Sequence, residues 1–134
     1  MMPDDPQQEF LVLSRGQWDA DKTDAEIQAV IDAFYDWYER LVADGQVQRG
    51  HRLAREGKVV SKHRIADGPF AEAKELIGGY WIVRAPSLDA AAELMSHNPT
   101  IACGLAFEVR PLEHQRASAT VASNETPPGR RAGG

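Results

Sequence analysis

The sequence predicts an α+β fold of the ferredoxin-like type, with the order strand, helix, strand, strand, helix, strand. Residues 23–45 and 87–98 have apolar side chains at three- and four-residue steps, as amphipathic helices do. The segments around them are short and either apolar or alternating, as strands are. A chain of 134 residues with 43% hydrophobic residues is sufficient for one compact domain. We therefore expect one sheet with both helices on the same face.

The first half of the chain is predicted to form a buried strand and then the longest helix. Phe10–Ser14 is a short apolar segment between polar residues, which is typical of a buried strand. Thr23 and Glu26 have the spacing of a capping box, so the helix should begin there. Gly45 can adopt the left-handed conformation that ends a helix.

The next two segments, Gln46–Ala54 and Lys58–Ile65, are predicted to pair as a hairpin. Both alternate in polarity, and the connection Arg55–Gly57 is short and contains glycine. We expect a short extra helical turn after this hairpin, over Ala71–Ile77, closed by the glycines that follow.

The second half of the chain is predicted to contain a central strand, a helix and a last strand. Gly79–Ala85 is aromatic and β-branched, and Pro86 ends it. Ser87 caps the helix, Asn98–Pro99 closes it, and Gly104–Leu112 alternates as a strand does. Helices on one face leave the other sheet face uncovered, so we expect a homodimer of the dimeric α/β barrel type.

Both ends of the chain are predicted to be disordered, which leaves residues 9–112 as the domain. Residues 1–8 hold two prolines and two aspartates, and residues 113–134 are rich in Ala, Ser, Thr, Pro and Gly. Neither segment can bury enough apolar surface to offset the entropy of ordering it.

Composition and motif content argue against several classes of function. The net charge of −5 and a pI near 5.3 give no electrostatic reason for direct contact with nucleic acid or an anionic membrane. The N-terminus does not resemble a secretory signal and no stretch approaches a membrane span, so we expect a cytoplasmic protein. The single cysteine, Cys103, excludes an intrachain disulfide, and without metal or phosphate motifs we expect no cofactor.

The most informative segment is Asp67–Glu75, DGPFAEAKE. Gly68 permits a tight turn, Pro69 fixes φ as at the first position of a helix, and Asp67 can accept hydrogen bonds from the free amides. In this interpretation Asp67 caps a helical turn and Phe70 packs it on the core. In the alternative interpretation Asp67 lies at the rim of a cleft and acts as a general acid or base.

This segment closely resembles the hallmark of DGPFAETKE proteins in the YCII-related superfamily, with Ala73 in place of the usual threonine. The resemblance continues through residues 78–83, through Ser87–Ala91, and through Phe107–Pro111 at the end of the last predicted strand. It implies the ferredoxin-like fold and an active site that uses Asp67 together with a histidine.

Four histidines are candidates for that partner, because imidazole titrates near neutrality. His114 begins the tail and His97 ends a helix, so both are expected to be structural or unused. His51 and His63 lie in the second and third predicted strands, where either could share a sheet face with Asp67. We prefer His51.

The first helix departs from the pattern of the superfamily. In the branch suspected of catalysis, the histidine lies on that helix about three turns before its closing glycine. Counting back from Gly45 reaches Phe34. Either His51 or His63 substitutes for the missing histidine, or this protein binds a ligand without that chemistry.

Five residues of the motif region are expected to contact a ligand: Gly68, Pro69, Phe70, Lys74 and Tyr80. The leading hypothesis is a small-molecule-binding protein that acts as a cofactor-independent lyase or isomerase of aromatic or dicarbonyl compounds. Proton transfer would then be carried out by the motif aspartate.

The resemblance also implies an alternative function. Relatives are often encoded beside extracytoplasmic-function sigma factors, which suggests a non-catalytic regulatory or sensing protein associated with such a factor. In a third interpretation, the motif only shapes the dimer.

Overall fold

The computed structural model describes residues 7–68 and 77–124. The protein is a small α+β fold, as predicted. Its elements are β1 (Gln8–Arg15), α1 (Asp24–Ala43), β2 (Val47–Arg52), β3 (Gly57–Val60), β4 (Ile65–Gly68), β5 (Ile77–Ala85), α2 (Leu88–Met95), a 3-10 helix (Pro99–Cys103) and β6 (Ala106–Pro111). Within the described ranges, no helix is long and apolar enough to cross a membrane.

Four strands form one antiparallel sheet in the order β2-β5-β1-β6. This is the ferredoxin-like order if the β3–β4 hairpin is treated as an insertion between the second and third strands of the motif. The hairpin forms a separate two-stranded sheet.

Both helices cover the same face of the four-stranded sheet. On β5, Trp81 is buried: its ring packs against Tyr38 of α1 with centroids 5.5 Å apart, and its Nε1 donates to Met95 Sδ of α2 at 3.4 Å. Val12 of β1 pairs with Trp81 and is fully buried on this face. Residues between these positions, such as Tyr80, leave the sheet on the opposite side and are half-buried.

The predicted capping box at the start of α1 is confirmed. Glu26 N donates to Thr23 Oγ1 at 3.1 Å, and Thr23 N donates to Glu26 Oε1 at 3.2 Å. A cap of this kind contributes about 1 kcal/mol to stability. At the other end of the helix, Gly45 has a φ of 80°, in the left-handed region that closes a helix.

The predicted hairpin between Gln46–Ala54 and Lys58–Ile65 is wrong. The first segment forms β2 and pairs with β5. The second folds back on itself as β3 and β4, through a turn in which Ser61 N donates to Arg64 O at 2.9 Å. The physical reason is burial: pairing with β5 places Val47 opposite Val83, and both side chains are buried in the core.

The hallmark segment begins in strand β4, because Asp67 and Gly68 pair with Lys58 and Gly57. The predicted helical turn over Ala71–Ile77 lies outside the described residues except for Ile77, which begins β5.

Helices and strands start at Gln8 and end at Pro111. Residues 112–124 contain bends and turns. Of the ends predicted to be disordered, residues 1–6 and 125–134 lie outside the described residues.

Candidate functional site

A cleft of about 880 Å³ opens between α1 and the end of the sheet where β1 and β2 finish and β5 begins. Among the described residues, seven aromatic ones line it: Trp18, Phe34, Tyr35, Tyr38, Tyr80, Trp81 and Phe107. Seven polar or charged residues of the described chain also border it: Ser14, Gln17, Glu39, Arg49, His51, Arg52 and Thr100. The lining is therefore largely apolar with a few polar groups, as in most small-molecule sites.

Phe34 is at the centre of the aromatic wall. Its ring lies 5.6 Å from that of Trp81 and 5.3 Å from that of Tyr38, measured between centroids. Trp81 in turn lies 5.5 Å from Phe107, so the aromatic contacts continue across the sheet. The helix position at which the superfamily pattern has a histidine thus borders the cleft, and in this chain it holds an apolar ring.

Close contact between β2 and β5 brings the polar groups of β2 to the cleft. The register of the two strands shifts between Gln48 and His51. At Gly50 a Cβ would lie only 1.8 Å from the carbonyl oxygen of Tyr80, so this approach requires glycine. The residues on either side of Gly50, Arg49 and His51, both border the cleft.

Tyr38 joins α1 to this irregular part of β2. Its hydroxyl accepts a hydrogen bond from Gly50 N at 3.2 Å, and the side chain is 8% exposed. Burial raises the pKa of the Tyr38 phenol, which keeps it neutral in the physiological range.

An ion pair lies beside this contact at the edge of the cleft. The guanidinium of Arg49 donates from both terminal nitrogens to the two carboxylate oxygens of Glu39. These hydrogen bonds lower the pKa of Glu39 and raise that of Arg49, so both groups stay charged. Each side chain is about half exposed, so a polar group of a ligand could also reach them.

The structure brings His51 and Tyr80 together. The two residues are opposite each other in the β2–β5 pair, and their rings lie 6.1 Å apart between centroids. Because Tyr80 precedes the buried Trp81, its side chain and that of His51 leave the sheet on the face away from the helices. His51 is therefore at the edge of the cleft and not within its aromatic wall.

The other predicted proton-transfer residues do not border the cleft. Asp67 has a side chain that is 88% exposed and forms an ion pair with Lys58 at 2.5 Å. His63 is exposed in the turn between β3 and β4. Gly68 ends β4, and the three remaining motif residues expected to contact a ligand, Pro69, Phe70 and Lys74, lie outside the described residues.

Sequence reasoning missed six polar groups of the cleft: Ser14, Gln17, Glu39, Arg49, Arg52 and Thr100. The closeness of Glu39 and Arg49 could have been predicted from the turn at Gly45. Gly45 turns the chain between α1 and β2, so residues at similar distances on either side of it come close together. Ser14, Gln17, Arg52 and Thr100 belong to no recognisable motif.

The described residues offer no obvious metal site. No three histidine, cysteine, aspartate or glutamate side chains in residues 7–68 and 77–124 are grouped so that they could hold a metal ion.

The chain belongs to the YCII-related domain family, whose model matches residues 8–114. Among solved structures, it is similar to the 5-chloro-2-hydroxyhydroquinone dehydrochlorinase from Burkholderia phenoliruptrix AC1100 in complex with 2,5-dihydroxybenzoquinone. The two share 21% sequence identity with a TM-score of 0.48, over 80% of this chain and 95% of that one. No curated protein matches the chain. Membership of the DGPFAETKE group within the family stays a prediction.

Proposed function

We propose that this protein binds a small, largely apolar molecule in the cleft between α1 and the sheet. The observation that supports this most directly is the cleft itself. Its volume of about 880 Å³ lies within the range of about 300–1,000 Å³ that is usual for ligand pockets. An aromatic wall with a few polar groups at the edge favours a ligand with one or two rings and a polar substituent.

The aromatic wall has a further property that favours ligand binding. Trp81 packs against both Phe34 and Phe107, so these three rings are held in place before a ligand arrives. A site that is already ordered loses little conformational entropy on binding. Trp18 belongs to the loop between β1 and α1 and completes the wall.

Lyase or isomerase chemistry in this cleft is the finer part of the proposal. His51 is the better-supported proton-transfer group, because it borders the cleft and imidazole titrates near neutral pH. Asp67 stays a candidate on the strength of the motif, although its described partner is Lys58. Association with a sigma factor remains the alternative proposal, and it rests on the resemblance to other members of the superfamily.

A metabolite screen by thermal shift, followed by calorimetric titration, tests ligand binding. Trp18→Leu should weaken the affinity for a hit about fivefold, since an aromatic contact contributes about 1 kcal/mol. Trp37→Leu is the matched control: Trp37 is half-buried against the core and does not line the cleft. It should lower the melting temperature and leave the Kd within about twofold.

Two outcomes would count against the proposal. One is a screen of aromatic and dicarbonyl compounds that yields no ligand. The other is a ligand whose Kd responds equally to both tryptophan variants.

For any hit that is turned over, loss of turnover in His51→Gln but not in Asp67→Asn would assign proton transfer to His51. The reverse pattern would assign it to Asp67.

A further inference from the structure

The charged residues of the cleft have a sign opposite to that of the whole chain. Among the described lining residues there are two arginines, Arg49 and Arg52, and one acid, Glu39, whereas the chain has a net charge of −5. Arg49 and Glu39 satisfy each other through two hydrogen bonds. Arg52 therefore supplies the one positive charge that the described lining leaves uncompensated.

Arg52 ends β2 on the side of the strand that faces the cleft. Neighbouring residues of a strand point to opposite faces, and His51 leaves the sheet on its open face, so Arg52 points to the face that the helices cover. It is opposite Gly79, which has no side chain to crowd the guanidinium. Arg52 is exposed, and no described residue forms an ion pair or hydrogen bond with its guanidinium. This group is therefore available to a ligand.

A second available donor lies deeper in the cleft, on Tyr38. Its hydroxyl accepts a hydrogen bond from Gly50 N at 3.2 Å, and no described residue accepts the hydroxyl proton in turn. Burial raises the pKa of the Tyr38 phenol, so the hydroxyl keeps that proton near neutral pH. A buried donor without an acceptor is unfavourable, and an oxygen atom of a ligand would satisfy it.

We propose that the cleft selects aromatic carboxylates, with Arg52 binding the carboxylate and the Tyr38 hydroxyl donating to an oxygen of the ligand. This inference rests on the proposed function, because it names the polar substituent of the ligand proposed there. The planar fork of a guanidinium matches a carboxylate through two parallel hydrogen bonds. The aromatic wall would pack against the ring.

An aromatic cation is a less suitable ligand for this cleft. The faces of aromatic rings do attract cations. Here, however, a cation would be repelled by the uncompensated charge of Arg52. The acidic group of the described lining, Glu39, is already paired with Arg49 and offers little attraction in return.

Three probes of nearly the same shape test the charge preference: 2-naphthoate, its neutral amide 2-naphthamide, and the cation 2-naphthylmethylammonium. Calorimetric titration of the full chain at pH 7 and low salt gives the three Kd values. The Kd of 2-naphthoate should be about fivefold lower than that of 2-naphthamide, since an ion pair at a partly exposed site contributes modestly. The cation should bind most weakly. The preference for 2-naphthoate should shrink as salt rises, because salt screens exposed charges.

Variants of Arg52 test which residue carries the preference. Arg52→Gln should weaken 2-naphthoate binding about fivefold and leave the Kd of 2-naphthamide within about twofold. Arg52→Lys keeps the charge but not the fork, so it should retain part of the preference. Arg55→Gln is the matched control, because Arg55 is exposed three residues along the chain and does not line the cleft. It should leave both Kd values unchanged.

Tyr38→Phe tests the second donor. It should weaken 2-naphthoate and 2-naphthamide alike, about fivefold, because each has an oxygen that can accept from the hydroxyl. Unchanged Kd values in this variant would refute the role of Tyr38.

Equal binding of 2-naphthoate and 2-naphthamide would overturn the inference, and so would a preference that survives Arg52→Gln. If both probes still bind more weakly to Trp18→Leu in that case, the aromatic cleft of the proposed function stands and only its charge preference fails. If none of the three probes binds, the result counts against the proposed function as well as against this inference.

Discussion

Replacing Gly50 by alanine tests whether the close approach of β2 to β5 holds the cleft together. The new Cβ would lie 1.8 Å from the carbonyl oxygen of Tyr80, 2.6 Å from its carbonyl carbon and 2.9 Å from the Cα of Trp81. Carbon atoms in contact normally lie about 3.5–4.0 Å apart. All three neighbours are backbone atoms, so no side-chain rotation can relieve the clash.

The two strands must therefore separate by more than 1 Å around Gly50, judged against that normal contact distance of about 3.5–4.0 Å. Overpacking of this kind costs about 1–3 kcal/mol. Each ladder hydrogen bond that is lost adds about 1 kcal/mol, and the hydroxyl of Tyr38 also loses its donor, Gly50 N. We expect Gly50→Ala to lower the free energy of unfolding by about 3 kcal/mol or more, a large part of the 5–15 kcal/mol typical of a domain.

Gly45→Ala is the matched control, because at Gly45 an added Cβ meets nothing within 4 Å and only the φ of 80° is unfavourable. That substitution should cost about 1 kcal/mol. Urea unfolding followed by tryptophan fluorescence measures both variants. If Gly50→Ala destabilises the protein no more than Gly45→Ala does, the strands are not as close as described, and our account of how β2 forms the cleft is refuted.

Two further predictions concern ionisable groups. Burial raises the pKa of Tyr38 in the folded state, so its contribution to stability is present below the ordinary pKa of tyrosine, about 10, and is lost as pH rises. Tyr38→Phe should cost about 1 kcal/mol near pH 7, and thermal melts from pH 8 to 11 should show this gap shrinking; a constant gap would contradict the assignment. Hydrogen bonds from Thr23 lower the pKa of Glu26, so its contribution is present above the ordinary pKa of glutamate and is lost as pH falls through the folded value. Urea midpoints of wild type and Glu26→Gln should therefore differ at pH 7 and converge near pH 3, and an equal difference at both pH values would contradict the capping role.

Local signals in the sequence predicted the elements whose partners are also local. The capping box at Thr23 and Glu26 and the stop at Gly45 depend on residues a few positions apart, and both are found as expected. The strand signal of Gly79–Ala85 was equally reliable, because the aromatic and β-branched run Tyr80–Val83 suits a central strand.

The partner of β2 could not be read from local signals. A short glycine-containing connection favours pairing of the two strands that it joins. Here β2 pairs with β5 instead, which places Val47 opposite Val83 in the core. The decisive residue is Gly50, which allows the close approach, and a single glycine within a strand pattern does not identify its neighbour.

The candidate site was predicted only in part, for a similar reason. The superfamily pattern drew attention to one position on α1, and Phe34 at that position borders the cleft. The pairing of Asp67 with a histidine depended instead on where the hairpin lies. Among the described residues β4 pairs with β3 and with no other strand, and Asp67 forms its ion pair with Lys58 of β3.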